Sequence, residues 1–202
     1  MSKITTEQAM KLNTNNSKSN YFNLKNDGDK MKVRFMYNKL SEIETYSVHE
    51  VEVKGFNRHV DCLKDAEGNG VCPFCDKGIR KTARTFFKLY SIDTNTVLIW
   101  DCGIKKAPGI ENILKNACDK DKSIVNYVFE IQRQGKIGDT NTSYVLTKEG
   151  CDDVTLDVLP EPPELYGRFI LKKTPADMEY YITNNKFADK EIKKRENGRM
   201  AF

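Results

Sequence analysis

His49, Cys62, Cys72 and Cys75 stand in the order H-x12-C-x9-C-x2-C. No other set of residues in the chain constrains its folding as tightly. Three thiolates and one imidazole complete a tetrahedral zinc site with no coordination position left for water or substrate, which is the donor set of a structural metal. Cys72-Pro73-Phe74-Cys75, followed by Asp76-Lys77-Gly78, reads as a knuckle that points two thiolates at one ion. A redox Cys-x-x-Cys pair would need a strand before it and a long helix after it. Here Glu67-Gly68-Asn69-Gly70 precedes the pair, and Cys62 supplies a third sulfur upstream.

The chain has two histidines, so the fourth ligand is a choice between His49 and His59. The stretch from Ser47 to Val53 alternates, with Ser47, His49, Val51 and Val53 on one face. Asn57 to Cys62 returns antiparallel through a turn at Lys54-Gly55-Phe56-Asn57. Centring that turn between Gly55 and Phe56 sets His49 directly opposite Cys62, where Cβ atoms lie roughly 4.5–5.5 Å apart. His59 is three residues from Cys62 on the same strand, so the two point to opposite faces roughly 10 Å apart. His59 becomes the fourth ligand only if that strand breaks into a second knuckle. The register favours His49.

At 202 residues the chain is one domain with appendages, and 39% hydrophobic residues are enough for a core. The net charge of +4, from 33 basic and 29 acidic residues, is mild. An anionic partner must therefore be argued from where the cations sit. No run approaches the roughly 18–20 apolar residues of a membrane span. The N-terminus lacks the apolar core of a secretory signal. The expected location is the cytoplasm, where thiols stay reduced and six cysteines do not make a disulfide framework. Cys102, Cys118 and Cys151 have no ligand spacing and are expected as buried packing.

The remaining pattern is mainly β. Met31, Val33, Phe35 and Tyr37 alternate with Lys32, Arg34 and Met36, a half-buried strand with a basic outer face. Phe86 to Ile92 and Val97 to Asp101 read as one hairpin, and Tyr127 to Arg133 with Ser143 to Lys148 as another. Val154 to Leu159 reads as a further short strand. A helix is expected after Pro108, and a second at Thr174, with Pro175 in its first position and Asp177 closing a capping box. The predicted fold is a partly open five-stranded barrel of the OB type with an embedded zinc subdomain and helical termini. Residues 1–20 form an arm, 21–160 the barrel with zinc at about 47–78, and 161–202 a helical appendage and basic tail.

Cations and rings interleave along this framework. Lys32, Arg34, Arg58, Lys81, Arg84, Lys88, Lys105, Lys106, Arg133 and Lys136 are candidate phosphate contacts. Phe86, Tyr90 and Trp100 are candidate stacking rings, with Phe86 and Tyr90 expected to be exposed and Phe87 and Leu89 buried. Single-stranded nucleic acid binds such mixtures, each base–ring stack contributing roughly 1–3 kcal/mol. No P-loop, nucleophile elbow or G-x-G-x-x-G is present, and no general base partners the acid pair Asp152 and Asp153. An enzyme is not expected, nor a small-molecule substrate.

The ligand spacing from His49 to Cys75, with Lys32-Val33-Arg34-Phe35 upstream, resembles the single-stranded-DNA-binding, helix-destabilising proteins of T-even bacteriophages. The resemblance implies an OB-fold, one structural zinc, and a groove that coats exposed strands in phage DNA replication, recombination and repair. Thr5 to Asn13 is similar to that family's N-terminal helix, so Lys3, Thr5 and Thr6 are implied in cooperative self-association. Replication or recombination proteins are implied as partners. Two features depart from the family: its arm is more basic, and its tail is acidic, where this chain has Lys190, Lys193, Lys194, Arg195 and Arg199. The alternative function is a zinc-ribbon adaptor that docks on a polymerase or other host protein.

Overall fold

Alternation of apolar residues builds the chain's main elements, its strands. The structure, a computed structural model, describes residues 20–66, 70–139 and 142–188. It is mainly β, with eight strands and four short α-helices among the described residues. The strands are β1 (Lys30–Phe35), β2 (Thr45–Val53), β3 (Phe56–Asp61), β4 (Lys81–Ser91), β5 (Thr96–Gly103), β6 (Tyr127–Gln134), β7 (Ser143–Cys151) and β8 (Ile170–Leu171). The helices are α1 (Leu63–Ala66), α2 (Pro73–Asp76), α3 (Ala107–Ala117) and α4 (Pro175–Asn184). The expectations for residues 1–19, including Lys3, Thr5 and Thr6, and for the basic tail from 189 onward lie outside the described residues.

The described residues divide into two units. The first comprises those up to Glu42, Phe87–Asp101 and Asn112–Pro163. Its strands run β7-β6-β1-β4, and β5 pairs with β4. Val33 faces Ser91 and Phe35 faces Leu89 on one side of β1, while Met31 faces Ile131 on the other. No pairing joins β5 to β7, so hydrogen bonding leaves this unit open. The core is aromatic: Phe35 meets Phe87 and Phe129 edge-on at 5.8 and 5.7 Å between centroids, an arrangement that matches ring edges to faces. Trp100 of β5 and Tyr144 of β7 meet at 5.0 Å, with Phe22 4.8 Å from Trp100.

The second unit holds Ile43–Phe86, Cys102–Glu111 and the residues from Glu164 on. Here the first half of β4 pairs with β2, β2 with β3, and β3 runs parallel to β8. The β2–β3 turn is the two-residue Lys54-Gly55, both at positive φ (53° and 80°), the backbone a tight hairpin requires. The expected turn is thus corrected by one position, and Val53 pairs with Phe56. His49 lies opposite Val60 and not Cys62. That register differs by two residues, and a shift of two preserves the face. His49 and Cys62 therefore still point to the same side.

Helix α4 starts as its sequence demands. Thr174 Oγ1 accepts from Asp177 N at 3.2 Å, and the Asp177 carboxylate accepts from Thr174 N at 3.1 Å. Its inner face carries Met178 and Tyr181 onto Val51, Val60 and Phe74. Three expectations are corrected. Leu156–Val158 forms a 3-10 turn where a strand was expected, and no ladder partner holds it extended. Cys151 is exposed, because it ends β7 at the edge of the strand order, and Cys118, just past the C-terminal end of α3, is half-exposed. Arg34, expected on a basic outer face, is only 7% exposed. Its guanidinium donates to Val125 O, Asn126 O and the Asp152 carboxylate, at 3.2, 3.0 and 2.7 Å, so that face of β1 is covered by chain at Arg34 while Lys32 stays exposed.

Candidate metal centre and nucleic-acid interface

Local geometry brings the four ligands together. Pro73 occupies the first turn of α2 with its φ already set, and Gly78 at φ +73° ends the turn. Asp76 N donates to Cys72 O at 3.1 Å and Ile79 N to Phe74 O at 2.9 Å, closing the knuckle. Cys62 follows β3 and donates its N–H to Ser47 O at 3.0 Å, which holds it beside β2. The donor atoms of His49, Cys62, Cys72 and Cys75 lie within 4.8 Å of one another. Cys62 Sγ is 3.5 Å from Cys75 Sγ, and His49 Nε2 is 3.4 Å from Cys72 Sγ and 3.5 Å from Cys75 Sγ. A tetrahedral ion with metal–sulfur bonds of about 2.3 Å places its donors roughly 3.5–3.8 Å apart. His59 lies outside this group, since it faces Glu50 on the opposite side of the β2–β3 hairpin.

The surroundings suit a cation. His49 is fully buried, and its Nδ1 lies 3.0 Å from Ile79 O, which can only accept. The ring proton therefore sits on Nδ1, and Nε2 keeps its lone pair for a metal. Burial holds the imidazole below its ordinary value, which favours that neutral form, although the Ile79 carbonyl works the other way. Burial and the neighbouring Cys62 and Cys72 sulfurs push the Cys75 thiol up to about 12. Burial also raises Cys72, but hydrogen bonding from the Cys75 backbone and side chain outweighs it, and this thiol lies below the ordinary range. A divalent ion would relieve that conflict by stabilising all three thiolates at once. Phe74, fully buried and 5.5 Å edge-on from His49, seals the site against the α4 side chains Tyr181 and Met178. The four residues form a candidate metal site with no protein-free position in the tetrahedron.

The expected nucleic-acid residues separate by environment. In the first unit, Lys32 is half-exposed and 3.3 Å from Glu149, and Lys136 is exposed. Lys88 and Tyr90 are half-buried, with Tyr90 Oη donating to Asn95 Oδ1 at 3.0 Å. Arg133 holds Leu24 O, Gly135 O, Lys136 O and Thr142 Oγ1, and so organises the β6–β7 end. Trp100 is only 4% exposed, because Phe22, Phe87 and Tyr144 enclose it. In the second unit, Lys105 and Lys106 are exposed, Lys81 pairs with Asp65 at 3.0 Å, and Arg58 donates to Arg168 O at 2.7 Å.

Phe86, expected exposed, is 2% exposed. It is covered by Tyr46 at 5.9 Å and His59 at 5.9 Å on the same sheet face. Tyr166 then stands 6.1 Å edge-on from Tyr46 and is 41% exposed. Arg84 pairs across from Tyr46, and Lys172 Nζ lies 6.0 Å from the Tyr166 centroid. The sequence reading missed Tyr46 and Tyr166. Tyr46 was legible, since it shares the alternate face of the strand that carries His49. Tyr166 follows a proline-rich connector with no periodicity, and only the turn through Gly167 (φ +84°) brings it here.

Among the described residues no helix is long and apolar enough to cross a membrane. Compared with models of known protein families and with curated protein sequences, the chain matches none.

Proposed function

We propose that this chain is a non-enzymatic single-stranded-DNA-binding protein that coats exposed strands in phage DNA replication, recombination and repair, with one structural zinc at His49, Cys62, Cys72 and Cys75. The ring-and-cation face of the second unit carries this reading. Tyr46 and Tyr166 offer π-faces of the kind that stack on unpaired bases, and Arg84 and Lys172 lie beside them to neutralise phosphates. Tyr46 Oη donates to Glu44 at 2.6 Å, and Tyr166 is hydrogen-bonded to Asp61. Rings held in place lose little freedom when a base stacks on them.

The connectivity of the first unit supports an OB-like barrel. Its strands follow in chain order as β1, β4, β5, β6 and β7, β1 pairs with both β4 and β6, and α3 intervenes between β5 and β6. That is the partly open, five-stranded scheme of oligonucleotide-binding barrels. Zinc is the ion that three cysteines and one histidine select at tetrahedral spacing. Its role here is to fix β2, β3 and the knuckle as one wall, with no step of chemistry at the metal.

The test is titration with fluorescent oligo-dT across salt, with duplex of the same length as the control. Tight binding to the single strand that weakens steeply with salt is expected. Tyr166→Ala should weaken it by about 1–3 kcal/mol, the contribution of one base–ring stack. Equal affinity for single strand and duplex would overturn the reading.

A further inference from the structure

Of the six cysteines, three belong to the candidate metal site and Cys102 is buried, while Cys151 alone is exposed. Cys118 follows α3 and Cys151 ends β7, both in the first unit. Bonds around each bring the two segments together. Lys148 Nζ, from β7, donates to Ala117 O at 2.8 Å, and the same ammonium stands 4.5 Å over the Tyr127 ring. Tyr127 is the ladder partner of Cys151, so the two side chains take the same face of the sheet. The Tyr127 hydroxyl accepts from Asp119 N at 2.8 Å and donates to the Asp119 carboxylate at 2.9 Å. Lys122 Nζ reaches Cys151 Sγ at 3.6 Å. Ala117, Asp119 and Lys122 are thus tied to Lys148, Tyr127 and Cys151, which brackets Cys118 beside the end of β7. Cys151 is close enough for its charge to act on the Cys118 thiol.

We propose that Cys118 and Cys151 are an oxidative modification site, a thiol pair that closes an intramolecular disulfide when hydrogen peroxide is supplied. Cys151 reacts first. It is exposed, and an ammonium at its sulfur is the setting in which a cysteine reacts selectively. Its sulfur attacks one peroxide oxygen, so that an S–O bond forms, the O–O bond breaks, and a sulfenic acid and one water result. Cys118 then attacks the oxidised sulfur. An S–S bond forms, the S–O bond breaks, and the hydroxyl leaves with the Cys118 proton as a second water. Two thiols are oxidised and one peroxide is reduced. Burial pushes the Cys118 thiol up to about 11, with Lys148 opposing and Asp119 and Cys151 adding to the rise, so Cys118 is the sulfur that resolves and not the one that reacts first. Both cysteines stand at the ends of their elements. Drawing their Cα atoms to the roughly 4.4–6.8 Å of a disulfide therefore leaves the interior of β7 and the body of α3 in place. The inference is independent of strand binding.

The test treats the full chain, loaded with zinc, with a small molar excess of hydrogen peroxide, then blocks free thiols and maps tryptic peptides by mass. A species joining residues 116–120 to residues 149–168, lighter than its two parts by two hydrogens and split by dithiothreitol, is expected. In Cys118→Ser, Cys151 should stop at the sulfenic acid, and its labelling by dimedone should exceed that of the unaltered chain about tenfold. In Cys151→Ser, Cys118 should stay reduced. In urea, where the fold no longer brings the two together, the yield of this species relative to other cysteine pairings should fall about tenfold. Absence of the linked species from the folded chain overturns the proposal, whether Cys151 stays reduced, stops at the sulfenic acid or links to a second chain. An equal relative yield in urea would overturn it too, since the pairing would then owe nothing to the fold.

Discussion

Arg34 and Lys32 are two residues apart on β1 and identical in a charge count, yet they differ in kind. Arg34 satisfies the buried Val125 carbonyl, the partly buried Asn126 carbonyl and Asp152, so Arg34→Ala strands those acceptors. An unsatisfied buried polar group costs about 1–3 kcal/mol, so urea unfolding should show a loss of about 2–4 kcal/mol. Lys32→Ala removes an exposed pair and should stay within about 0.5 kcal/mol. Tyr127 gives a pH signature. Its hydroxyl donates to the Asp119 carboxylate at 2.9 Å, and burial and that carboxylate push it up to about 12, although the Asp119 backbone N–H pulls the other way. The folded state therefore prefers the neutral phenol. This contribution is fully present below the ordinary tyrosine value of about 10 and is lost as pH rises toward 12. Urea midpoints should fall over that window, and Tyr127→Phe should flatten the fall.

At the scale of elements, the knuckle and the α4 start are the most local features and the most legible. Cys-Pro-Phe-Cys sets its own turn, and Thr-Pro-Ala-Asp sets its own cap, because each partner lies within one helical turn. Thr174→Ala should cost about 1 kcal/mol, the usual value of an N-cap, read by thermal unfolding of the second unit. Hairpin register was less legible. A turn at Lys54-Gly55 and one centred a position later both satisfy the alternation of β2, and only the positive φ of both Lys54 and Gly55 in the fold separates them. His49 still meets the three cysteines because the two registers differ by an even number of residues, which leaves His49 and Cys62 on one face. Strand length was also under-read: β4 begins at Lys81, five residues before the expected strand, because pairing with β2 extends it.

For the whole molecule, the proposed zinc should matter where its candidate ligands lie. Structural zinc contributes on the order of 10–16 kcal/mol in small modules, and that free energy is folding free energy. Chelation should raise hydrogen exchange over β2, β3, α2 and α4, since Phe74, Tyr181 and Val60 form one core with Cys62 and Cys72. Unchanged exchange in those segments after metal removal would refute a structural ion. The sequence by itself determined which residues can ligate and which face each strand residue takes. Those depend on spacing, on a two-residue period and on the fixed φ of proline, all of which act within a few residues. Only the tertiary structure decided which faces are covered. Phe86, Trp100 and Arg34 alternate as surface residues would, and are buried because Tyr46, Tyr144 and Val125 arrive from distant parts of the chain. Tyr166 joins Tyr46 for the same reason. Burial is a property of what packs onto a face, and no local pattern records the chain that comes to cover it.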